Sequence, residues 1–261
     1  MKFQHLLIVI VVLMVGLAVS GYTRQVEKPL TLNLEAAGIK TFEIECGSGY
    51  LKIQGVEGLT RIEVDATLVV KGIAEEDLEE FKSEYVDLSL EKRGNKAVLF
   101  SKIKSGFSIS NLIKHKEARI NLDVRIPKNL ELDIEDGSGS IEISAVNGGI
   151  ELEDGSGSIL LEDIGGSVSI EDGSGATVVE NIGGNFEIHD GSGEIKVSKV
   201  EGDVSVDDSS GTIGIYDVKG SVEVEDGSGS IVIDGVAKDV WIKSAGSGSL
   251  TIRNVNGKVK K

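Results

Sequence analysis

Six aspartates, Asp136, Asp154, Asp172, Asp190, Asp208 and Asp226, follow one another at steps of 18 residues. Each opens an Asp-Gly-Ser-Gly tetrapeptide, except that Asp208 opens Asp-Ser-Ser-Gly. The residue before the aspartate is again acidic at Glu153, Glu171, Asp207 and Glu225, with His189 as the exception. Carboxylates at this density suit two chemistries. A divalent cation could bridge them, since calcium takes six to eight oxygen ligands. A pair at a set separation could cleave a glycosidic bond.

The spacing weakens both. The calcium-binding β-roll unit places an aspartate two residues after its last glycine, and here Ile141 and Ile150 stand at that place. A glycosidase needs one particular pair in a groove lined by aromatic rings, whereas these acids are periodic and aromatic residues make up 4% of the chain. Beyond the N-terminal leader only His115 and His189 remain as histidines, and the many serines belong to the tetrapeptides, so no Ser-His-Asp constellation is indicated. Trp241 and Tyr216 fall at outward positions, where either could act as a sugar-stacking platform. No catalytic, cofactor-binding or metal-ligating residue is therefore assigned. Calcium along the acidic edge stays open as the one ion this composition admits.

A structural demand explains the period better. Counting Asp136 as position 1, position 6 holds Ile141, Ile159, Thr177, Ile195, Ile213 and Ile231. Positions 8, 11, 15 and 17 are likewise filled by Ile, Val, Leu or Phe through six periods. Positions 6 and 8, and again 15 and 17, alternate with polar neighbours, which places one face of a short strand inward. A unit of 18 residues cannot bury such a face alone, but stacked units share a continuous core. Glycine density and β-branched residues oppose helix here. The expected fold is all-β: a right-handed parallel β-solenoid of 18-residue coils, the hand following from the crossover rule. The tetrapeptides are its corners. Glycine takes the positive φ a sharp bend requires, and Asp accepts a bond from the backbone N–H two residues on.

The stack extends beyond the regular copies. "AGSGSLTIRNVNG" from Ala245 reads as a further coil displaced by one residue near Ser244, and "CGSGYLKIQGVEG" from Cys46 as an isolated imperfect copy. Residues 21–126 read as a β-rich cap region with one helix in "AEEDLEEFKSEY" (Ala74 to Tyr85), two strands around Arg93-Gly94-Asn95 and a basic loop from Ser105 to Ala118. The solenoid repeat domain is expected over 127–261, and the cap covers its first coil, whose edge would otherwise invite pairing with another chain.

Charge and leader bound the function. From Glu131 to Ile242 there are 26 Asp/Glu against 4 Lys/Arg, a net of −22, so the rest of the chain carries +6 of the total −16. Such acidity argues against nucleic acid or an anionic membrane as partner. Residues 1–20 have the form of a cleavable signal peptide: Lys2, an apolar run from Leu6 to Val19, and small residues at Ala18 and Ser20. That run is short of the roughly 20 residues that span a bilayer, and no membrane span is expected after cleavage. Cys46, the single cysteine, allows no intrachain disulfide and suits a small buried residue.

"RINLDVRIPKNLELDIEDGSGSIEI" and the GSG coils that follow resemble the bacterial putative-adhesin β-solenoid family, which includes auto-transporter-adhesin-head-like domains. The resemblance spans roughly residues 30–255 and is strongest from Ala118. It implies an exported protein, periplasmic, cell-surface or extracellular. The reading expected is a non-enzymatic adhesin-like or envelope scaffold presenting an acidic face to a cell-surface glycan or an envelope protein. The alternatives are a carbohydrate-active β-helix protein and a calcium-binding β-roll-like module.

Overall fold

The computed structural model describes residues 25–104 and 117–261. The signal peptide expected over 1–20, most of the basic loop and His115 lie outside the described residues.

After a first coil formed by one 16-residue strand, Glu131–Val146, each coil from Ile150 to Val236 holds a five-residue strand, such as Ile150–Asp154, and an eight-residue strand, such as Gly157–Ile164. Each strand pairs in parallel with its counterpart one period on. Ile141, Ile159, Thr177, Ile195 and Ile213 are direct register partners in turn. The side chains of the five apolar columns are buried throughout the regular coils, so the period is indeed the repeat of a parallel β-solenoid. The corner glycine allows the layers to close up. At Gly157 φ is 151°, and a Cβ there would fall 1.6 Å from the carbonyl oxygen of Gly139 in the layer below. No side chain fits such an approach.

One feature of the columns had no explanation in alternation alone: the inward positions are 6, 8 and 11, not 6, 8 and 10. The structure supplies it. Ala145, Asp163, Asn181, Lys199 and Asp217, all at position 10, have φ between 55° and 63°. Glu162 pairs with Glu180 and Ile164 with Ile182, and Asp163 is left out of the register. One residue in the left-handed region acts as a bulge and swings the next side chain back into the core. The displaced coil also takes its expected form, because Glu225 pairs with Ser244 and Asp226 with Ala245 after a register shift.

The N-terminal part is more coil-like than the cap region expected of it. Thr41–Ser48 and Leu51–Val56 lie in parallel beneath the first regular coil, with Cys46 opposite Asp136 and Leu51 opposite Ile141. A second coil, Lys96–Ile103 and Ala118–Pro127, stacks below that one, with Ser101 opposite Cys46 and Leu122 opposite Leu51. Stacking order therefore departs from chain order, since 41–56 is inserted between 96–127 and 131–146. Antiparallel strands close this end: Val86–Arg93 on one wall, then Arg61–Lys71 and Gln25–Glu35 on the other. The helix, Leu78–Tyr85, follows a 3-10 turn at Glu75–Asp77 and buries Leu78 and Phe81. A single apolar cluster runs from Val26 to Ile242.

Candidate functional site

The aspartates that open each tetrapeptide turn inward, although Asp136, Asp154, Asp172 and Asp190 also border the groove along the corner. Ile150, Leu152 and Asp154 lie on the same face of one strand, and all three are buried. Asp136, Asp154, Asp172, Asp190, Asp208 and Asp226 are each no more than 6% exposed and are register partners along the stack. The sequence reads these aspartates as corner acceptors and leaves calcium open along the acidic edge; the structure adds that the column is buried. Alternation continues through position 1, and the side chain follows it inward.

In all but Asp172, only half of the carboxylate is used. Oδ1 accepts the backbone N–H two residues on, at 3.3 Å from Ser156 and at 2.9–3.0 Å from Ser174, Ser192, Ser210 and Ser228. This is the corner bond the sequence suggested. Oδ2 of Asp136, Asp154, Asp190, Asp208 and Asp226 is buried without a hydrogen-bond partner. Burial disfavours the charged form, and all six carboxyls lie above their ordinary range for that reason first. For Asp154 and Asp190 burial and the acids above and below push the value up to about 6. Cys46 continues the column downward. It is buried, its thiol donates to Asp136, and burial followed by the Asp136 charge drives its ionisation well beyond the usual thiol range.

The exposed acids form a different row one residue earlier: Glu135, Glu153, Glu171, Asp207 and Glu225, with His189 among them. Glu135, Glu153, Glu171, His189 and Asp207 flank an open groove of about 550 Å³ along the corner. Its N-terminal end is partly neutralised, as Lys102 Nζ lies 3.1 Å from Glu45 and 3.9 Å from Glu135. His189 lies 3.4 Å from both Glu187 and Asp207. Among the described residues no group of three or more His, Cys, Asp or Glu side chains is placed to hold a metal ion.

A second groove, about 440 Å³, runs along the outer face of the five-residue strands. It is lined by Asn185, Asp203, Ser205, Ser221, Glu223 and Trp241 among others. Trp241 is 51% exposed, as its outward position requires, and Lys260 Nζ sits 4.6 Å from its ring centre. Tyr216 is half-buried, its ring against Gly214. The two aromatic candidates therefore do not meet in one site. The groove's floor is stitched coil to coil: the Asn185 side-chain oxygen accepts the N–H of Asp203, and an Asp203 oxygen accepts that of Ser221.

These features define a parallel β-solenoid with a buried acidic column and polar outer grooves, the architecture that the resemblance to putative-adhesin solenoids implies. No family model matches the sequence, and no curated protein matches it. Among solved structures, the chain is similar to a putative lipid binding protein from Parabacteroides distasonis, with 18% identity, TM-score 0.49, and 89% of this chain and 97% of that one covered. It is also similar to a putative adhesin from Bacteroides fragilis, with 16% identity, TM-score 0.45, and coverage of 89% and 96%. For a putative cell adhesion protein from Clostridium sporogenes the figures are 12%, 0.34, 90% and 100%.

Proposed function

We propose that this chain is an exported, non-enzymatic scaffold of the cell envelope or surface, an adhesin-like module that presents its acidic outer row to a cell-surface glycan or an envelope protein. The division into a cap over 21–126 and a solenoid over 127–261 belongs to the same proposal. One observation carries it: the exposed carboxylates stand in single file, one per layer except where His189 takes the place, on a parallel wall whose layers are about 4.8 Å apart. A fixed row of like charges suits repeated, weak, multivalent contact with a polymer or a large surface. It does not suit one reaction centre.

Two measurements test the proposal. Cell fractionation should place the chain outside the cytoplasm with residues 1–20 removed. The full chain should bind isolated envelopes or an immobilised glycan panel with an affinity that falls as salt is raised, since exposed charges are screened. A cytoplasmic chain that keeps its first 20 residues, or the absence of binding to both panels, overturns it. The Trp241 groove favours a second reading, that the ligand is a carbohydrate stacked on the indole. Trp241→Ala should then abolish glycan binding while leaving salt-sensitive envelope binding in place.

A further inference from the structure

We propose that the buried aspartate column is an acid-responsive spine, which makes the solenoid most stable in acidic solution and progressively weaker as the pH rises toward neutrality. The inference concerns the column alone and does not depend on what the outer face binds.

The geometry carries it. Six carboxylates lie in register through consecutive layers, and in five of them Oδ2 is buried without a partner. These oxygens point into the corner: Oδ2 of Asp208 lies 3.1 Å from where a Cβ on Gly211 would be. A row of orphaned, buried acceptors in single file lacks donors, and a proton supplies one to each.

The column's neighbours point the same way. The groups facing each member from the adjoining layers are other members: Asp136 and Asp172 act on Asp154, and Asp172 and Asp208 act on Asp190. Asp207, next in chain, adds its charge to Asp208. The outward acids Glu135, Glu153, Glu171 and Glu225 and the imidazole of His189 alternate with the column along the strands. Two cations stand toward the ends: Lys102 acts on Cys46 at the lower one, and Lys243 interacts with the outer acids Glu225 and Asp207 toward the upper one. At the lower end the column closes on neutral groups, the Cys46 thiol and, one layer further, the buried hydroxyl of Ser101. At the upper end Asp226 meets Ala245. A run of buried acids bounded by neutral residues at both ends receives no compensating charge, so removing its own is the available relief.

The direction follows from linkage. The folded chain holds these protons more tightly than the unfolded chain, whose aspartates titrate near 3.8. The stabilising contribution is therefore fully present below that value and is lost as pH rises through about 6, where Asp154 and Asp190 ionise in place.

The experiment is thermal unfolding of the full chain between pH 4.5 and 8 at fixed ionic strength, for three proteins. The wild type should melt at least about 5 °C higher at pH 5 than at pH 8. The column variant Asp154→Asn/Asp190→Asn/Asp208→Asn should lose most of that slope. A control with the same charge change on the outer row, Glu153→Gln/Glu171→Gln/Glu225→Gln, should keep it. A wild type that is equally or more stable at pH 8, or column and control variants with the same slope, overturns the proposal. Should the column variant fail to fold, carbon-13 titration of the wild-type aspartate carboxyls decides: resonances with midpoints near 6 support it, and midpoints all below about 4.5 overturn it.

Discussion

The hydroxyl of Thr177 lies 3.5 Å from Oδ2 of Asp172, and Asp172 is the one column member whose second oxygen has a partner. Thr177 is also the one polar residue in a column of isoleucines. The coincidence is a local solution to a problem the other five layers leave unsolved. An apolar side chain at position 6 supports the core, whereas a threonine there supplies a donor to the acid across the corner.

Thr177→Val keeps the shape and removes the donor. Leaving a buried acceptor without its partner costs about 1–2 kcal/mol, and urea unfolding at pH 7 should register a loss of that size. The reverse change, Ile195→Thr, offers the same donor to Asp190 and should lower the value at which that carboxyl titrates. An unchanged Asp190 midpoint by carbon-13 titration would show that the threonine does not reach it.

Two glycine substitutions separate strain from collision. At Gly58 φ is 72° and nothing lies within 4 Å of a Cβ, so Gly58→Ala meets only the left-handed backbone preference, about 1 kcal/mol. At Gly175 a Cβ would fall 1.6 Å from the Gly157 carbonyl oxygen as well. Gly175→Ala should therefore force the layers apart and lose at least about 3 kcal/mol, read as failure to melt cooperatively or as a much lower melting temperature. Equal effects at the two sites would contradict the packing of the corners.

The coil period, the inward columns and the corner hydrogen bond were all legible, because Ile, Val and Leu recur at fixed positions and burial of apolar surface dominates folding. The helix over Ala74 to Tyr85 was legible for a similar reason. The buried aspartates were not, although the pattern held them: Ile150, Leu152 and Asp154 stand at i, i+2 and i+4, and strand alternation alone sends all three the same way. The corner bond accounts for one oxygen of each carboxylate and does not say that the other is buried. The left-handed residues at position 10 left a trace in the step from 8 to 11. Their identities, Ala, Asp, Asn and Lys, gave no common signal. The insertion of 41–56 between 96–127 and 131–146 was illegible, since the offset of Cys46 from Asp136 shows kinship with a coil but not where that coil docks.

Cys46 offers a chemical probe of the lower end of the column. It is buried, its thiol donates to Asp136, and the acids around it oppose a second negative charge. Since the thiolate is the reactive species, a thiol reagent at pH 8 should modify the folded chain far more slowly than the urea-unfolded chain. Rapid labelling of the folded chain would show that the layers at this end separate in solution. Cys46→Ser should leave the fold intact, because a hydroxyl can donate to Asp136 in the same way.

The left-handed column makes the last prediction, and it concerns which strain the solenoid can shed. A non-glycine residue in this region gives up about 1 kcal/mol relative to glycine, offset in part by the greater freedom glycine has when unfolded. Ala145 has φ 57° and no side-chain polar group to recover that loss. Asn181 and Lys199 do have one: Asn181 Nδ2 donates to Asp163 at 2.5 Å, and Lys199 Nζ meets Glu180 at 2.6 Å. Ala145→Gly should therefore raise stability by about 0.5 kcal/mol, whereas Asn181→Gly should be neutral or lower it because the bridge between layers goes with the side chain. If both variants gained equally by urea unfolding, the side-chain ladder at this bend would contribute nothing, and backbone strain alone would govern the column.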